Sequence, residues 1–598
     1  MRATWRGLPA ARHAAGWEPG LAVPGADGST LLTDHYFPRA EGDFPTLLVR
    51  SPYGRGLPWS PMYGMLFAEQ GFHVVLQSCR GTGGSGGTFD LWRNEPADGQ
   101  ATVSWLREQP WFNGTLGTVG PSYLGYVQWA LALEPPPELK AMVVQMGLHD
   151  PYALFHADGV LRLDNALAVG SGMTYQHRGV AAFVKATLRL QRRIREAVAA
   201  RPLRGAYVPA LGGEVPWLDE VMTHPDAEDP YWQGASLAEA AERSAVPVSL
   251  ITGWHDALVD QTFAQYERLR RAGCETALLV GPWTHASALQ KGWPEVFAES
   301  LAWLRAHLCD DPSGLRPTPV RVHVGGHGDM GKRGDMGKCG DMGKKGGQAA
   351  HGGRPGAGGG GRWRDLGAWP PGGTAAPAPT AWYPTWEGHL TREAPAPTDT
   401  APPASFRYDP ADPTPSVGGP LLSPAAGPRD NGTLEARDDV LTFTGPPLDE
   451  PVDLFGPVTA RLSVTTDTGH ADLFTRLCDV DPRGRSVNVC DGLGRTSAGT
   501  PIGTSGSTSV RAPVRADVPM SVTAYRFARG HRIRWQISAG AHPRYARNPG
   551  TGEPRVDATA LTPVRVTVHA DSALLLPESP PTAPSAPAPG PQGPGKAL

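Results

Sequence analysis

The stretch Thr118-Val119-Gly120-Pro121-Ser122-Tyr123-Leu124-Gly125 sets a serine between an apolar run and an apolar helix-like segment, in the spacing G-x-S-x-x-G. A hydroxyl at a sharp strand-to-helix turn stands clear of the backbone and can attack a carbonyl, and small flanking residues let the two elements pack closely. The spacing is one residue longer than the common G-x-S-x-G elbow, whose strict form occurs elsewhere, at Gly83-Gly84-Ser85-Gly86-Gly87. With 75 glycines in 598 residues, so short a match carries little weight by itself. Context separates the two: Ser85 sits in a glycine tract with no helix directly after it, whereas Ser122 follows a strand pattern and opens a helical one. Alone, Ser122 reads equally as a nucleophile or a turn residue.

A serine hydroxyl is a poor nucleophile unless an imidazole takes its proton and an acid orients that imidazole. Both partners follow later strand patterns: Asp256 in Thr252-Gly253-Trp254-His255-Asp256, and His285 in Gly281-Pro282-Trp283-Thr284-His285. The chain order Ser, Asp, His is that of α/β-hydrolases. His255 competes for the role of base, but it precedes the acid within the same loop, which favours His285.

The elements that must position these residues have the grammar of a parallel sheet with crossover helices. Residues 46–49, 73–77, 116–119 and 141–145 predict buried strands; residues 62–70, 97–108 and 123–133 predict the helices between them. The pattern returns as strands at 248–252 and 276–280 and helices at 261–272 and 296–308. This predicts one α/β domain in two parts, 1–149 and 245–325, interrupted by a helical insertion at 150–244. Within the insertion, Phe183, Thr187, Leu190, Ile194 and Ala197 share one helical face, flanked by Lys185, Arg189, Arg192, Arg193 and Arg195. Its functional reading is a helical cap over the active site.

Residues 326–372 change character: Gly-Asp-Met-Gly-Lys occurs three times from Gly328, Gly334 and Gly340, followed by glycine-rich sequence. So short a period cannot carry a core, and the segment reads as a flexible linker. A metal role for its Asp and Met residues, Cys339 and His327 is a weak reading, since no fixed geometry is implied. From 373 to 576 the apolar period becomes two. Val458, Ala460, Leu462 and Val464 alternate with polar residues, as do Ile533, Trp535 and Ile537, and Val564, Val566 and Val568. This predicts an all-β sandwich. Residues 577–598 are rich in Pro and Ala and read as a disordered tail.

Composition excludes several classes of function. The net charge of −3 lacks the positive excess that phosphate-backbone binding needs, so nucleic acid is not an expected partner. Six scattered cysteines without a CxxC pair are too few to staple the chain and read as reduced thiols in a cytoplasmic protein. No segment has the ~20 apolar residues of a membrane span, nor does the amino terminus have an apolar signal core.

The chain resembles the CocE/NonD family of serine hydrolases along almost its whole length. The matching stretches are Arg50-Ser51-Pro52-Tyr53-Gly54-Arg55, Gln77-Ser78-Cys79-Arg80-Gly81-Thr82-Gly83-Gly84-Ser85-Gly86-Gly87, Gly120 to Gly125, Gly253-Trp254-His255-Asp256, Gly281 to His285 and, more weakly, Ser486 to Gly492. The longer serine spacing, with a tyrosine directly after the serine, is itself the family's form. The resemblance implies an α/β-hydrolase with a helical cap and a carboxy-terminal jelly-roll. It implies Ser122 as nucleophile, His285 as base, Asp256 as its orienting acid, and an oxyanion hole of the Tyr53 phenol and the Tyr123 amide. It implies no metal and no cofactor in the reaction.

Two departures stand out: Ser78 replaces an aspartate found in many relatives, and the repeats interrupt a usually short connection. Neither touches the triad, so activity should survive both. Relatives acting on α-amino acid esters carry carboxylates two and three positions after the acid, to hold the substrate ammonium. Here Leu258 and Val259 occupy them, which argues against that subgroup and makes Leu258 a candidate wall of an apolar acyl pocket. The expectation is a carboxylic ester hydrolase or acylase working through an acyl-enzyme on a small-molecule ester or amide. An X-Pro dipeptidyl-peptidase acting on short peptides is the alternative; a non-catalytic carbohydrate- or partner-binding protein is the remoter one. Oligomeric state is not legible.

Overall fold

A computed structural model describes residues 6–175, 193–327, 362–373, 377–396, 403–496 and 513–579. Its first six strands are β1 (Ala15–Pro24), β2 (Thr30–Pro38), β3 (Thr46–Ser51), β4 (His73–Ser78), β5 (Leu116–Ser122) and β6 (Leu139–Gly147). A short hairpin, β7 (His156–Ala157) and β8 (Val160–Leu161), lies in the insertion that follows. The chain then returns as β9 (Val248–His255), β10 (Thr276–Thr284), β11 (Val320–Val324) and β12 (Arg362–Leu366). All but the hairpin form one ten-stranded sheet in the order β1-β2-β4-β3-β5-β6-β9-β10-β11-β12. From β4 to β11 every neighbouring pair is parallel.

The strands between these limits are apolar at successive positions because both sheet faces are covered. Leu48 and Val75 face one core with Tyr126, Val127 and Ala130 of helix Tyr123–Ala132; Leu47, Val49, Val74 and Leu76 face the other with Trp293, Phe297, Leu301 and Leu304 of helix Trp293–Leu308. The expected strands and helices are all present with slightly shifted ends. The antiparallel edge pair β1 and β2 was not anticipated, because β1 is mostly exposed and has no apolar run to mark it.

The insertion contains helices Pro151–Phe155, Leu163–Tyr175, Val208–Leu211, Pro216–Thr223 and Ala238–Glu242. Trp232 stacks on Trp92 at 5.2 Å, and the Tyr126 hydroxyl donates to the Ala235 carbonyl at 2.9 Å, so its end is fastened to the helix that follows β5. Of the expected amphipathic face, Ile194 and Ala197 fall in a helix at 193–199, with Ala197 buried; Phe183, Lys185, Thr187, Arg189, Leu190 and Arg192 lie outside the described residues. So do the three repeats and residues 580–598.

The carboxy-terminal part is β-rich: β13 (Thr380–Pro384), β14 (Leu390–Thr391), β15 (Ala404–Tyr408), β16 (Val440–Thr444), β17 (Val452–Thr466), β18 (Asp472–Val480), β19 (Ser486–Arg495), β20 (Val514–Phe527), β21 (Arg532–Ser538), β22 (Val564–Val568), β23 (Ala573–Leu576) and β24 (Glu578–Ser579). They build an eight-stranded sheet around β17 and a four-stranded sheet in the order β16-β21-β18-β19. Val458, Ala460, Leu462 and Val464 of the first pack with Leu477, Ile533, Trp535 and Ile537 of the second in one core. Two boundaries differ from expectation. β12, inside the segment 326–372 read as linker, pairs antiparallel with β11 along all five residues, its exposed, charged sequence suiting a sheet edge. β24, at the start of the segment read as a tail, pairs with Asp453 and Leu454 of β17.

Candidate active site

Ser122, Asp256 and His285 all sit at the carboxyl ends of parallel strands, where open α/β sheets bind ligands. Ser122 ends β5 and caps the next helix with φ 59° and ψ −125°, a left-handed turn that few side chains adopt. Its glycines are packing requirements. A β-carbon on Gly125 would lie 2.6 Å from the Gly147 Cα of β6, and one on Gly120 would lie 2.5 Å from the Leu124 β-carbon. The helix can therefore cross the strand ends closely enough to hold the turn.

Asp256 is fully buried and held by three donors. His285 Nδ1 lies 2.9 Å and the Leu258 amide 3.0 Å from Oδ1, and the Thr252 hydroxyl donates to Oδ2 at 3.2 Å. The short distance fixes the imidazole so that Nε2 is left for other work. Thr284 caps the short helix His285–Ala288 through a reciprocal pair with Ser287, which sets where the imidazole begins. The glycines of both loops again mark close approach, since a β-carbon on Gly253 would lie 2.3 Å from the Trp283 carbonyl oxygen.

Tyr53 follows β3, and its hydroxyl is 3.2 Å from Ser122 Oγ. Against smaller opposing contributions from Ser122 and the Tyr123 backbone, burial raises the phenol's pKa and keeps the proton on. Its ring stacks on Trp59 with centroids 5.4 Å apart. In this state Ser122 Oγ is paired with the phenol, and no hydrogen bond joins it to His285, as is common before substrate binds.

The other candidates are placed differently. His255, the competing base, faces a small cavity of about 110 Å³ with His323 and Asn488, and burial lowers its pKa to about 4. Leu258, expected to wall an acyl pocket, is 1% exposed and packs in the main core, and its amide donates to Asp256. Ser85 is buried, accepting from the Leu32 amide at 2.9 Å and donating to the Ser78 carbonyl at 3.0 Å. Ser78 accepts from Arg55 at 2.6 Å, and the carboxylate beside that guanidinium comes from Asp34 of β2 at 3.0 Å.

A buried polar network behind the turn was not anticipated. Arg50 pairs with Glu95 at 3.0 Å and donates to Gln77 at 2.9 Å; Glu95 accepts from the Tyr123 hydroxyl at 3.1 Å, which itself accepts from the Trp92 amide at 3.0 Å. It anchors the residue after the serine. Arg50 ending an apolar strand is the one signal in the sequence; its partner lies 45 residues away.

Residues 27–287 match the family described as X-Pro dipeptidyl-peptidase (S15 family), and residues 342–574 match the X-Pro dipeptidyl-peptidase C-terminal non-catalytic domain. The chain is 31% identical to a cocaine esterase from Rhodococcus sp. (strain MB1 Bresler) over 569 residues, covering 89% of this chain and 92% of that one. Among solved structures, an α-amino acid ester hydrolase superposes with a TM-score of 0.75 at 20% identity, covering 96% of this chain and 98% of that one. A CocE/NonD family hydrolase from Staphylococcus aureus superposes with a TM-score of 0.63 at 18% identity, covering 94% of each chain. These two structures bear on the fold: an α/β-hydrolase-like core followed by a β-rich domain. The identity to the esterase, sustained over both halves, bears on descent: the chain belongs to the CocE/NonD family of serine hydrolases, enzymes of ester and acyl bonds.

Proposed function

We propose that the chain is a carboxylic ester hydrolase working through an acyl-enzyme at Ser122. The observation that carries this is the buried, protonated Tyr53 phenol 3.2 Å from Ser122 Oγ, at a positive-φ strand-to-helix turn whose first helical amide is that of Tyr123. In the first half-reaction Ser122 Oγ attacks the ester carbonyl while His285 Nε2 takes its proton, and the charge that develops on the imidazole is balanced by Asp256. The carbonyl oxygen, now negative, takes the place of Ser122 Oγ at the phenol and draws the Tyr123 amide. Two preorganised donors in a partly buried site stabilise it far more than water does. His285 returns the proton to the leaving alcohol; a water molecule, deprotonated by the same imidazole, then releases the acid.

The acyl side of the substrate is uncharged in this reading. Leu258 and Val259, both buried and apolar, offer no carboxylate for an ammonium beside the scissile carbonyl. We read the two facing antiparallel sheets of the β-rich part as a jelly-roll and the insertion between β6 and β9 as a cap. The X-Pro dipeptidyl-peptidase match keeps a peptidase as the second reading. A panel of p-nitrophenyl esters against Ala-Pro-p-nitroanilide separates them. Turnover of short neutral esters is expected; preferential cleavage of the anilide would move the assignment to a peptidase, and preference for charged acyl groups would refute the apolar acyl side.

A further inference from the structure

The end of β11 carries a second cluster of chemistry-bearing side chains that shares no residue with the triad. His327, three residues beyond β11, meets Asp479 of β18 and His531, which immediately precedes β21; their ligand-capable atoms all lie within 4.8 Å of one another. Asp481 adds a further carboxylate, its Oδ2 3.1 Å from His327 Nε2. Asp479 is fully buried, with Oδ1 2.8 Å from His531 Nδ1 and Oδ2 accepting from the Tyr525 hydroxyl at 2.9 Å.

The His327 imidazole is the odd member. Both ring nitrogens are buried, yet neither makes a hydrogen bond, although Asp479 and Asp481 oxygens lie 3.8 and 3.1 Å away. Carboxylates drawn around an imidazole without the geometry of a hydrogen bond are what a shared cation would organise. The main chain holds the residue in place: the Gly325 amide donates to the Ala524 carbonyl and the Arg526 amide to the Gly325 carbonyl, both at 2.9 Å.

We propose that His327, Asp479 and His531, with Asp481 alongside, form a site for a late first-row divalent cation, zinc above all. Two imidazoles and a carboxylate are a donor set that zinc takes with bonds of about 2.0–2.2 Å, whereas magnesium and calcium take oxygen. The ion replaces the proton shared by His531 Nδ1 and Asp479 Oδ1, and the Tyr525 hydroxyl orients the carboxylate from outside. Closing the ligands around it needs rotation of His327, which no side-chain hydrogen bond opposes. Such an ion would tie the hydrolase sheet to two strands of the β-rich part at the root of the glycine-rich repeats.

The test uses full-length protein dialysed against EDTA, titrated with zinc by calorimetry and with cobalt(II) by visible absorption. Saturable uptake of about one ion per chain is expected, with imidazole-bound cobalt bands and a raised melting temperature. His531→Ala and the less buried His327→Ala should each weaken affinity by at least about tenfold. Absence of saturable binding, competition by magnesium, or unchanged affinity in a folded His327→Ala protein would overturn the proposal.

Discussion

Ser85 and Ser122 stand in superficially similar glycine settings and have opposite fates. Ser85 has the stricter motif, yet its hydroxyl is spent within the chain, accepting from the Leu32 amide and donating to the Ser78 carbonyl. Ser122 has the looser motif, yet its backbone takes a positive φ at the end of a buried strand, and its hydroxyl meets the Tyr53 phenol at the start of a helix. The difference teaches that glycine count around a serine says little; what a β-carbon would strike says much. At Gly125 it would strike the backbone of β6, so the glycine there is a condition of the elbow. In the Ser85 tract the closest clashes fall on side chains: a β-carbon on Gly83 would lie 2.3 Å from Ser78 Oγ, and one on Gly87 2.8 Å from the Arg80 γ-carbon.

Substitutions can break this comparison, and the largest effect belongs to Ser122→Ala. It should lower kcat for a p-nitrophenyl ester by about 10⁴–10⁶-fold while leaving the melting temperature near wild type. Asp256→Asn follows, with about 10⁴-fold lost, because the amide no longer selects the imidazole tautomer that leaves Nε2 free. Stopped assays at several pH values separate that loss from misfolding. Tyr53→Phe removes one oxyanion donor and should cost about 10²–10³-fold in kcat with KM little changed. A rise in KM alone, with kcat unchanged, would assign the phenol to binding. Ser85→Ala should spare kcat altogether and instead lower stability by about 1–2 kcal/mol, measured by urea unfolding, because the Leu32 amide loses its partner.

The parts of this account that the sequence carried are those with local causes. The strands of the parallel sheet announce themselves because both faces are buried, and the alternating strands of the β-rich part because one face is. The proposed triad was legible because each member follows such a strand. What escaped had distant causes: β1 is exposed and marked by no apolar run, β12 is short, charged and hidden behind the repeats, and the Arg50–Glu95 pair joins residues from separate elements. Leu258, named for its position beside the acid, caps the following helix, and its side chain packs in the core. The histidine of the second cluster was visible in the sequence, yet its partners lie more than a hundred residues away on β18 and before β21.

The most direct measurement of the central claim is covalent. Wild-type protein treated with a fluorophosphonate, digested and mapped by mass spectrometry, should carry one phosphonyl adduct, on the peptide containing Ser122, and Ser122→Ala should carry none. An adduct on the Ser85 peptide, or an unmodified folded wild type that still hydrolyses esters, would contradict the assignment of Ser122 as the nucleophile.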